Sequence, residues 1–364
     1  MKKYNNHVFE SVIINNDMQE IASKIMHLER LDNSSFLITG ACGMLARYFV
    51  MFLIYLNEAY NYNIKIFCLV RNKSKAISMY EEFYNKEYFI IMEDDLLHPL
   101  SCNCEINYVI HAASLASPQY YSTIPVDVML PNSIGIYNLL EFIKEKHIKS
   151  MLFFSSCDIY GNLDSTNVTE DTPTSNLEIF DPRSTYSVSK IFGETLCKSY
   201  VNQYNIDVKI ARIAHTYTPL VDIKNDSRVF SFFIKCISEN KDIILYSDGK
   251  AKRPFCYITD AISAYITILL DGKLGEAYNV GNFQEYKSIL EIAKIILSNS
   301  KNKKLNIKYV NRNSNDSYIA KKRENFINFS DQKLRDIGWG NFNLVKAEDG
   351  FSRVCKYVLN YKEY

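Results

Sequence analysis

From Ser35 onward, short apolar runs alternate with longer stretches whose apolar residues recur every three or four positions. The runs cover residues 36–39, 65–70, 89–92, 108–111, 151–155 and 208–213, each of strand length and followed by a helical pattern. Strands that read as unbroken apolar runs are those covered on both faces, and their alternation with helices is the mark of βαβ units. The pattern therefore predicts an α/β fold, a doubly wound parallel sheet. Ahead of it, in a polar N-terminal extension of residues 1–34, Ile21, Ile25, Met26 and Leu28 recur at roughly helical spacing and predict a packing helix over 18–31. After Arg212 the rhythm loosens into segments carrying Pro219, Asp248, Gly249 and Pro254, then a helix near 289–297 and a tail to Tyr364. The expected organisation is an extension (1–34), a main α/β domain (35–214) and a smaller C-terminal domain (215–364), with 251–270 returning to the main domain. No low-complexity linker separates the parts, so they are expected to share an interface.

Composition narrows the classes. With 364 residues and 47% hydrophobic side chains, the chain can fill a large core. Lysine and arginine (42) nearly cancel aspartate and glutamate (41), so no global field draws nucleic acid or an anionic membrane, and an anionic ligand must be held locally. Nine scattered cysteines are unlike a secreted disulfide scaffold and fit a reducing cytoplasm. Cys102 and Cys104 have no second ligand pair at zinc spacing, so no metal is expected. No apolar stretch is long enough to span a bilayer and no signal-peptide core opens the chain, so a soluble, cytoplasmic protein is expected.

The run 36–39 leads into Gly40-Ala41-Cys42-Gly43-Met44-Leu45-Ala46 and then a helical stretch, where a dinucleotide phosphate turn belongs in a Rossmann domain. Gly40 would permit the tight turn and Gly43 the close approach of backbone amides to a pyrophosphate, at a helix N-terminus. Ala46 stands in place of the third glycine. The second run ends at Arg71, where an acid would favour NAD; an arginine there can pair with a 2′-phosphate, or be solvated with Lys73 and Lys75. Asp95 and Leu96 follow the third run and suit an adenine edge. Ala112, Ala113 and Ser114 follow the fourth and would lie beneath the cofactor. Gly40, Gly43, Met44, Leu45, Arg71, Asp95, Leu96, Ala112, Ala113 and Ser114, together with Tyr186 and Lys190, form the expected cofactor set. The expected cofactor is NAD, with NADP left open by Arg71.

Tyr186 and Lys190 are four residues apart, hence on one helical face. A lysine cation beside a phenol favours its ionised form and would bring Tyr186 toward the working range of a general base. Ser156, at the end of the fifth run, is the expected donor to an oxyanion that develops as hydride leaves an alcohol carbon.

Taken together, TGACGML, HAASLASPQYY, FFSSCDIYGN, YSVSK, ARIAHTYTP, RVFSFFI, SDGKAKRPFCYITD, YNVGN and IGWG resemble the extended short-chain dehydrogenase/reductase family, the nucleotide-sugar epimerases, dehydratases and decarboxylases, over about residues 35–345. The segment 116–121 and the run 253–257 are most similar to UDP-glucuronate decarboxylases. The resemblance implies Ser156, Tyr186 and Lys190 as a catalytic triad, and Asp158 in place of a catalytic glutamate. It implies substrate contacts from Ser117, Tyr121, Arg228 and Arg253, and a homodimer through helices following Pro125 and Tyr186. Cys157 stands where dehydratases carry an acid, which sets dehydration behind decarboxylation and 4-epimerisation; as a thiol it is expected to pack rather than attack. His215 replaces an asparagine and Thr218 a glycine, so His215 either contacts the sugar nucleotide or lines the pocket wall. The expected activity is NAD(P)-dependent modification of a nucleotide sugar through a 4-keto intermediate. A dinucleotide-binding sensor or scaffold without turnover is the alternative from another class.

Overall fold

The computed structural model describes residues 9, 11–161, 163, 167–174, 177–310 and 327–360. Residues 1–8 and 10 of the expected extension, Asn162 of the quoted motif and residues 361–364 of the tail lie outside the described residues.

Seven strands form one sheet: β1 Ser34–Thr39, β2 Ile64–Val70, β3 Phe89–Glu93, β4 Tyr108–His111, β5 Ser150–Ser156, β6 Val208–Ile213 and β7 Ala277–Val280. Their order across it is 7-6-5-4-1-2-3, and every neighbouring pair is parallel. The fold is thus the doubly wound α/β sheet that the alternation predicts. β1, β4 and β5 are buried along their whole length, which is why they read as continuous apolar runs. The winding reverses between β1 and β4, and open α/β sheets bind ligands in the crevice outside the carboxyl ends of strands at such a point.

Two elements differ from expectation. β7 has no counterpart among the predicted runs, because four residues are too few to display a period. The helix of the extension runs over Val12–Lys24 rather than 18–31. Ile14, Met18 and Ile21 form its buried stripe, whereas Ile25 is extended at φ −101° and His27 lies in the left-handed region at φ 59°, so the helix cannot continue.

This N-terminal helix is keyed into the core by charge. Asp17 is fully buried and accepts hydrogen bonds from the Tyr48 hydroxyl (2.5 Å), the Tyr257 hydroxyl (2.6 Å) and Arg353 Nη1 (2.9 Å). Lys24 ion-pairs with Asp260 at 2.6 Å, and the second oxygen of Asp260 accepts the Val345 amide at 2.8 Å. The helix Ile258–Asp271 lies beneath, packed on β5, β6 and β7, and the strand Phe255–Tyr257 before it pairs in parallel with His215–Tyr217. The helices Val229–Ser238, Ile289–Ser298 and Ala347–Asn360 pack on one another. Cys102 and Cys104 are joined in the loop before β4, and the other seven cysteines are free. Among the described residues no helix is long and apolar enough to cross a membrane.

Burial pushes the Asp17 carboxyl up to about 6 although all three donors pull it down. Removing the acceptor leaves two buried hydroxyls and a guanidinium without it, so Asp17→Ala is expected to lower stability by about 3 kcal/mol. Denaturant melts of the two proteins, compared at matched m-value, measure this.

Candidate active site

The turn after β1 requires glycine twice over. Gly40 has φ +65°, and a Cβ there would stand 2.7 Å from Ala113 Cα and 2.9 Å from Ala113 N. Its amide donates to the Leu69 carbonyl at 3.1 Å and its carbonyl accepts the Gly43 amide at 2.8 Å, so the turn is stitched to β2 and closed on itself. The Gly43 amide is therefore spent inside the turn rather than offered to a phosphate. Gly43 precedes the helix Met44–Tyr60, whose N-terminus has no side-chain cap; its open amides belong to Met44, Leu45 and Ala46. An uncapped helix end over a glycine turn is a cradle for an anionic group, and these residues fit the pyrophosphate of a dinucleotide.

Leu96 is buried and its carbonyl accepts Asn138 Nδ2 at 2.8 Å, while the Asp95 carboxylate accepts the Leu97 amide at 3.0 Å and so shapes its own turn. Arg71 is exposed just past β2. Ala112 and Ala113 are half-buried against the Gly40 turn, and Ser114 Oγ accepts Asn132 Nδ2 at 3.1 Å.

The carboxyl end of β5 meets the helix Ser184–Tyr204. Ser156 hydrogen-bonds the Tyr186 phenol, and its Oγ also accepts the Asp158 amide at 3.1 Å. Lys190 Nζ donates to the Phe154 carbonyl at 2.5 Å and lies 5.8 Å from the Tyr186 ring centre. Burial pushes the phenol up, and the Asp158 carboxylate pushes the same way, while the Ser156 hydrogen bond opposes them. Burial also brings Lys190 down to about 7, against the pull of Glu194. In the protein alone, burial works against the expected ionisation of Tyr186 beside Lys190. Both groups are dry, and dryness favours the neutral form of each. Cys157 is likewise held as a thiol by burial, first, and by Asp158, and it donates to the Arg212 carbonyl at 3.2 Å.

Tyr121 stacks on Tyr186 with ring centres 5.1 Å apart and planes 8° from parallel, its hydroxyl donating to the Ala116 carbonyl at 3.1 Å. Ser117 and Ser227 hydroxyls meet at 2.8 Å. The Arg228 guanidinium forks onto Asp226 and touches Met44 Sδ at 2.8 Å, spanning from the helix Val229–Ser238 to the glycine turn. Against the upward push of burial, that guanidinium holds the Asp226 carboxyl below its usual range. His215 is exposed with its ring edge on Phe255, and Arg253, two residues before Phe255, donates through Nη1 to the carbonyl of Lys252 at 2.7 Å. The structure therefore gathers Ser156, Asp158, Tyr186, Lys190 and Tyr121 in one place. Arg71 and Asp95 stand beyond β2 and β3, on the other side of the glycine turn.

Several supporting residues carry no motif. Thr39 Oγ1 contacts His111 Nδ1 at 2.8 Å, and His111 Nε2 contacts the Pro131 carbonyl at 3.2 Å. A carbonyl only accepts, so Nε2 bears the proton and Nδ1 accepts from threonine. Burial, then Lys190, lowers His111 to about 3, which keeps it neutral. Asn132 Nδ2 donates to Ser114, Val128 and Ser189, while its buried Oδ1 has no partner. Glu194 accepts from Ser155 at 2.5 Å and from Arg212 through both oxygens. The spacing Tyr186, Lys190, Glu194 was the one available signal for this last residue. Among the described residues no group of three or more histidine, cysteine or acidic side chains could hold a metal.

Comparison with known proteins gives a family and a fold. The model of the NAD dependent epimerase/dehydratase family matches residues 36–281. The UDP-glucuronic acid decarboxylase 1 of Xenopus tropicalis is 30% identical over 216 residues, 59% of this chain and 50% of that protein. The dTDP-D-glucose 4,6-dehydratase of Dictyostelium discoideum is 28% identical over 273 residues, 72% of this chain and 61% of that protein. The chain spans about half the length of the decarboxylases it matches. A solved dTDP-glucose 4,6-dehydratase of Streptomyces venezuelae with NAD bound superposes with TM-score 0.73 at 18% identity, covering 90% of this chain and 97% of that one. A UDP-glucuronic acid 4-epimerase of Bacillus cereus gives 0.70 at 20%, covering 91% and 100%. These two likenesses show the fold.

The lowered Lys190 has a thermodynamic consequence. Its value falls from 10.5 to about 7 on folding. The fold therefore loses stability as pH drops from 10.5 toward 7, where the ammonium must be charged in a dry site. Lys190→Met is expected to raise stability by roughly 2–4 kcal/mol at pH 7, a gain that shrinks as pH approaches 10.5. Denaturant melts at pH 7 and pH 10 give the two values.

Proposed function

Because the chain belongs to the NAD dependent epimerase/dehydratase family, we propose that it modifies a nucleotide sugar through a 4-keto intermediate, and that the reaction is decarboxylation of a nucleotide-linked uronic acid. The observation that carries this is the meeting of Ser156, Tyr186 and Lys190 at the end of β5 with the Asp158 carboxylate beside the phenol. A nicotinamide dinucleotide held at the Gly40 turn and the amides of Met44, Leu45 and Ala46 would supply reversible hydride chemistry at C4, taking the hydride and giving it back with no external redox partner. Tyr186 takes the C4 hydroxyl proton, and Ser156 donates to the oxygen on which charge develops. Once C4 is a ketone, a C6 carboxylate is β to it, so carbon dioxide can leave to an enolate. Asp158 is proposed to manage the proton that C5 then gains. Lys190, near the neutral point of its titration, supplies or withdraws positive charge behind the phenol. Tyr121 shields one face of the Tyr186 ring from water. Arg228 and Arg253 are proposed for the nucleotide diphosphate and sugar end, with Ser117 and His215 at its rim.

The second reading is 4-epimerisation, which uses the same residues on a sugar without a carboxylate. Dehydration is disfavoured because the half-buried Cys157 thiol, which burial and Asp158 keep protonated, already donates to the Arg212 carbonyl and is a poor acid. A homodimer is proposed through the exposed apolar residues Val126, Met129, Tyr137 and Phe192 on the adjoining helices Pro125–Met129, Ile134–Lys144 and Ser184–Tyr204.

Mass spectrometry of products from a panel of nucleotide sugars tests the reading. A uronic acid is expected to lose carbon dioxide, whereas a mass-neutral isomer moves the assignment to epimerase and loss of water to dehydratase. Tyr186→Phe is expected to lower turnover by about a thousandfold or more while dinucleotide binding persists. Light scattering of a Val126→Glu, Phe192→Glu double variant is expected to report a monomer where the parent protein is a dimer.

A further inference from the structure

We propose that Glu194 is a positioning residue for this reaction: held by Arg212 and Ser155 one helical turn beyond Lys190, its carboxylate keeps the Lys190 ammonium charged behind the Tyr186 phenol. The proposal rests on reading Tyr186 and Lys190 as the pair that moves the substrate proton. Tyr186, Lys190 and Glu194 follow one another at four-residue spacing and so share one stripe of the helix Ser184–Tyr204. Lys190 is buried, and its hydrogen-bond partner among the described residues is the neutral Phe154 carbonyl. The rings of Phe153 and Tyr186 lie 4.9 and 5.8 Å from its Nζ. A carbonyl and two rings soften the loss of water, but none of them carries the opposite charge.

Each element packed around the lysine presents a titratable group. From β4 comes His111, which feels the ammonium but is itself neutral. From the end of β5 comes Asp158, which acts on the phenol and opposes its ionisation. From β6 comes Arg212, whose guanidinium is paired with Glu194. On the same helix stand Tyr186, Glu194 and the buried thiol of Cys197. Among these groups Glu194 is the leading one that favours the ammonium, against the larger effect of burial.

Glu194 is built to remain an anion. Its Oε1 accepts Ser155 Oγ at 2.5 Å, Arg212 Nε reaches both of its oxygens at 3.2 Å, and Arg212 Nη2 reaches Oε2 at 2.8 Å. Arg212 is fixed in turn, since its Nη1 donates to the Tyr160 hydroxyl at 2.8 Å and to the Glu170 carbonyl at 2.7 Å. A carboxylate supplied with this many donors keeps its charge in a dry wall. The same donors hold it on Ser155 and Arg212, so it acts on Lys190 through space. The consequence lies in how Tyr186 and Lys190 share protons. When the doubly protonated pair loses one, either a phenol is left beside a neutral lysine or a phenolate beside an ammonium. Only the second form can take the C4 hydroxyl proton, and a fixed negative charge near the lysine favours it.

Turnover of UDP-glucuronic acid by the full chain with NAD+, measured from pH 5 to pH 9, tests this. In the parent protein the rate is expected to rise with pH as the pair loses its first proton. Glu194→Gln keeps the shape of the side chain and removes its charge. It is expected to lower the plateau of kcat about tenfold and to move the rising limb about one pH unit toward acid, with KM unchanged, because the lysine gives up its proton more easily. Glu194→Asp restores the charge and is expected to return the limb to its place. The double variant Glu194→Gln, Arg212→Gln leaves no charge of the pair without its partner, and it is expected to show the same fall and the same direction of shift where the single variant does not fold. A plateau that falls with the limb unmoved, or a changed KM alone, shows a merely structural role and overturns this inference while the proposed function stands. No turnover of UDP-glucuronic acid or UDP-glucose by the parent protein overturns the proposed function and this inference with it.

Discussion

The helix Ser184–Tyr204 lies against β5 so closely that Gly193 has no room for a side chain. A Cβ there would come within 2.6 Å of the Phe153 ring and 3.2 Å of the Asn132 carbonyl. That approach lets Lys190, one turn before the glycine, reach the Phe154 carbonyl and Glu194, the next residue, reach the Ser155 hydroxyl. The phenol of Tyr186, a further turn toward the helix start, then arrives beside Ser156 at the strand end. Any residue larger than glycine would have to lift the helix, and protein interiors are packed too densely to absorb that movement locally. The meeting of these side chains therefore depends on one missing methyl group.

Close packing also decides how the site titrates. Water is excluded, so the phenol rises and the ammonium falls, and their charged forms must be supported by fixed neighbours. Behind Lys190 those neighbours are cross-linked. Glu194 is held by Ser155 and Arg212, Arg212 Nη1 also donates to the Tyr160 hydroxyl at 2.8 Å, and Tyr160 donates to Asn279 at 2.7 Å. This line runs from β5 through β6 to β7, so the short seventh strand, remote in sequence, is tied to the wall behind the lysine. In a low dielectric such a network is stable only when every member is satisfied, which explains why its acids and bases occur in matched sets.

What the sequence displays and what it hides divide along the same line. The spacing of Tyr186 and Lys190 is legible because a helix fixes it locally, and Gly40 is legible because a turn between a strand and a helix needs it. Burial is a property of the assembled fold, and spacing does not carry it. Spacing therefore predicts that Lys190 ionises Tyr186, whereas burial pushes the phenol up and brings the ammonium down. The fork of Arg228 on Asp226 closes two residues away in sequence, yet nothing in the order of residues distinguishes it from an arginine waiting for phosphate. Asn132, with three donor contacts and a bare carbonyl oxygen, sits in a segment whose pattern marks only a helix boundary. The helix of the extension was displaced by six residues because its second stripe, Ile25 to Leu28, belongs to an extended residue and a separate turn.

That extension lies outside the segment matched by the family, residues 36–281, yet it bears on the cleft. Asp17 holds the hydroxyl of Tyr257, and Tyr257 ends the strand that begins at Phe255. Phe255 is paired with His215 and packs against its ring, and Arg253 lies two residues upstream. The same carboxylate holds Arg353 from the last helix and Tyr48 from the helix after the glycine turn. A single buried acid thus braces, from behind, the strand pair that carries His215, the segment that carries Arg253 and the helix that follows the glycine turn. Because Asp17, Tyr48 and Tyr257 are all removed from solvent, the two hydroxyls have no water to turn to, and their elements can separate only by leaving a buried hydroxyl or the carboxylate unpaired. The strand pair, the segment before it and the helix after the glycine turn are consequently registered to one another through the N-terminal helix as well as through the contact of Arg228 with Met44.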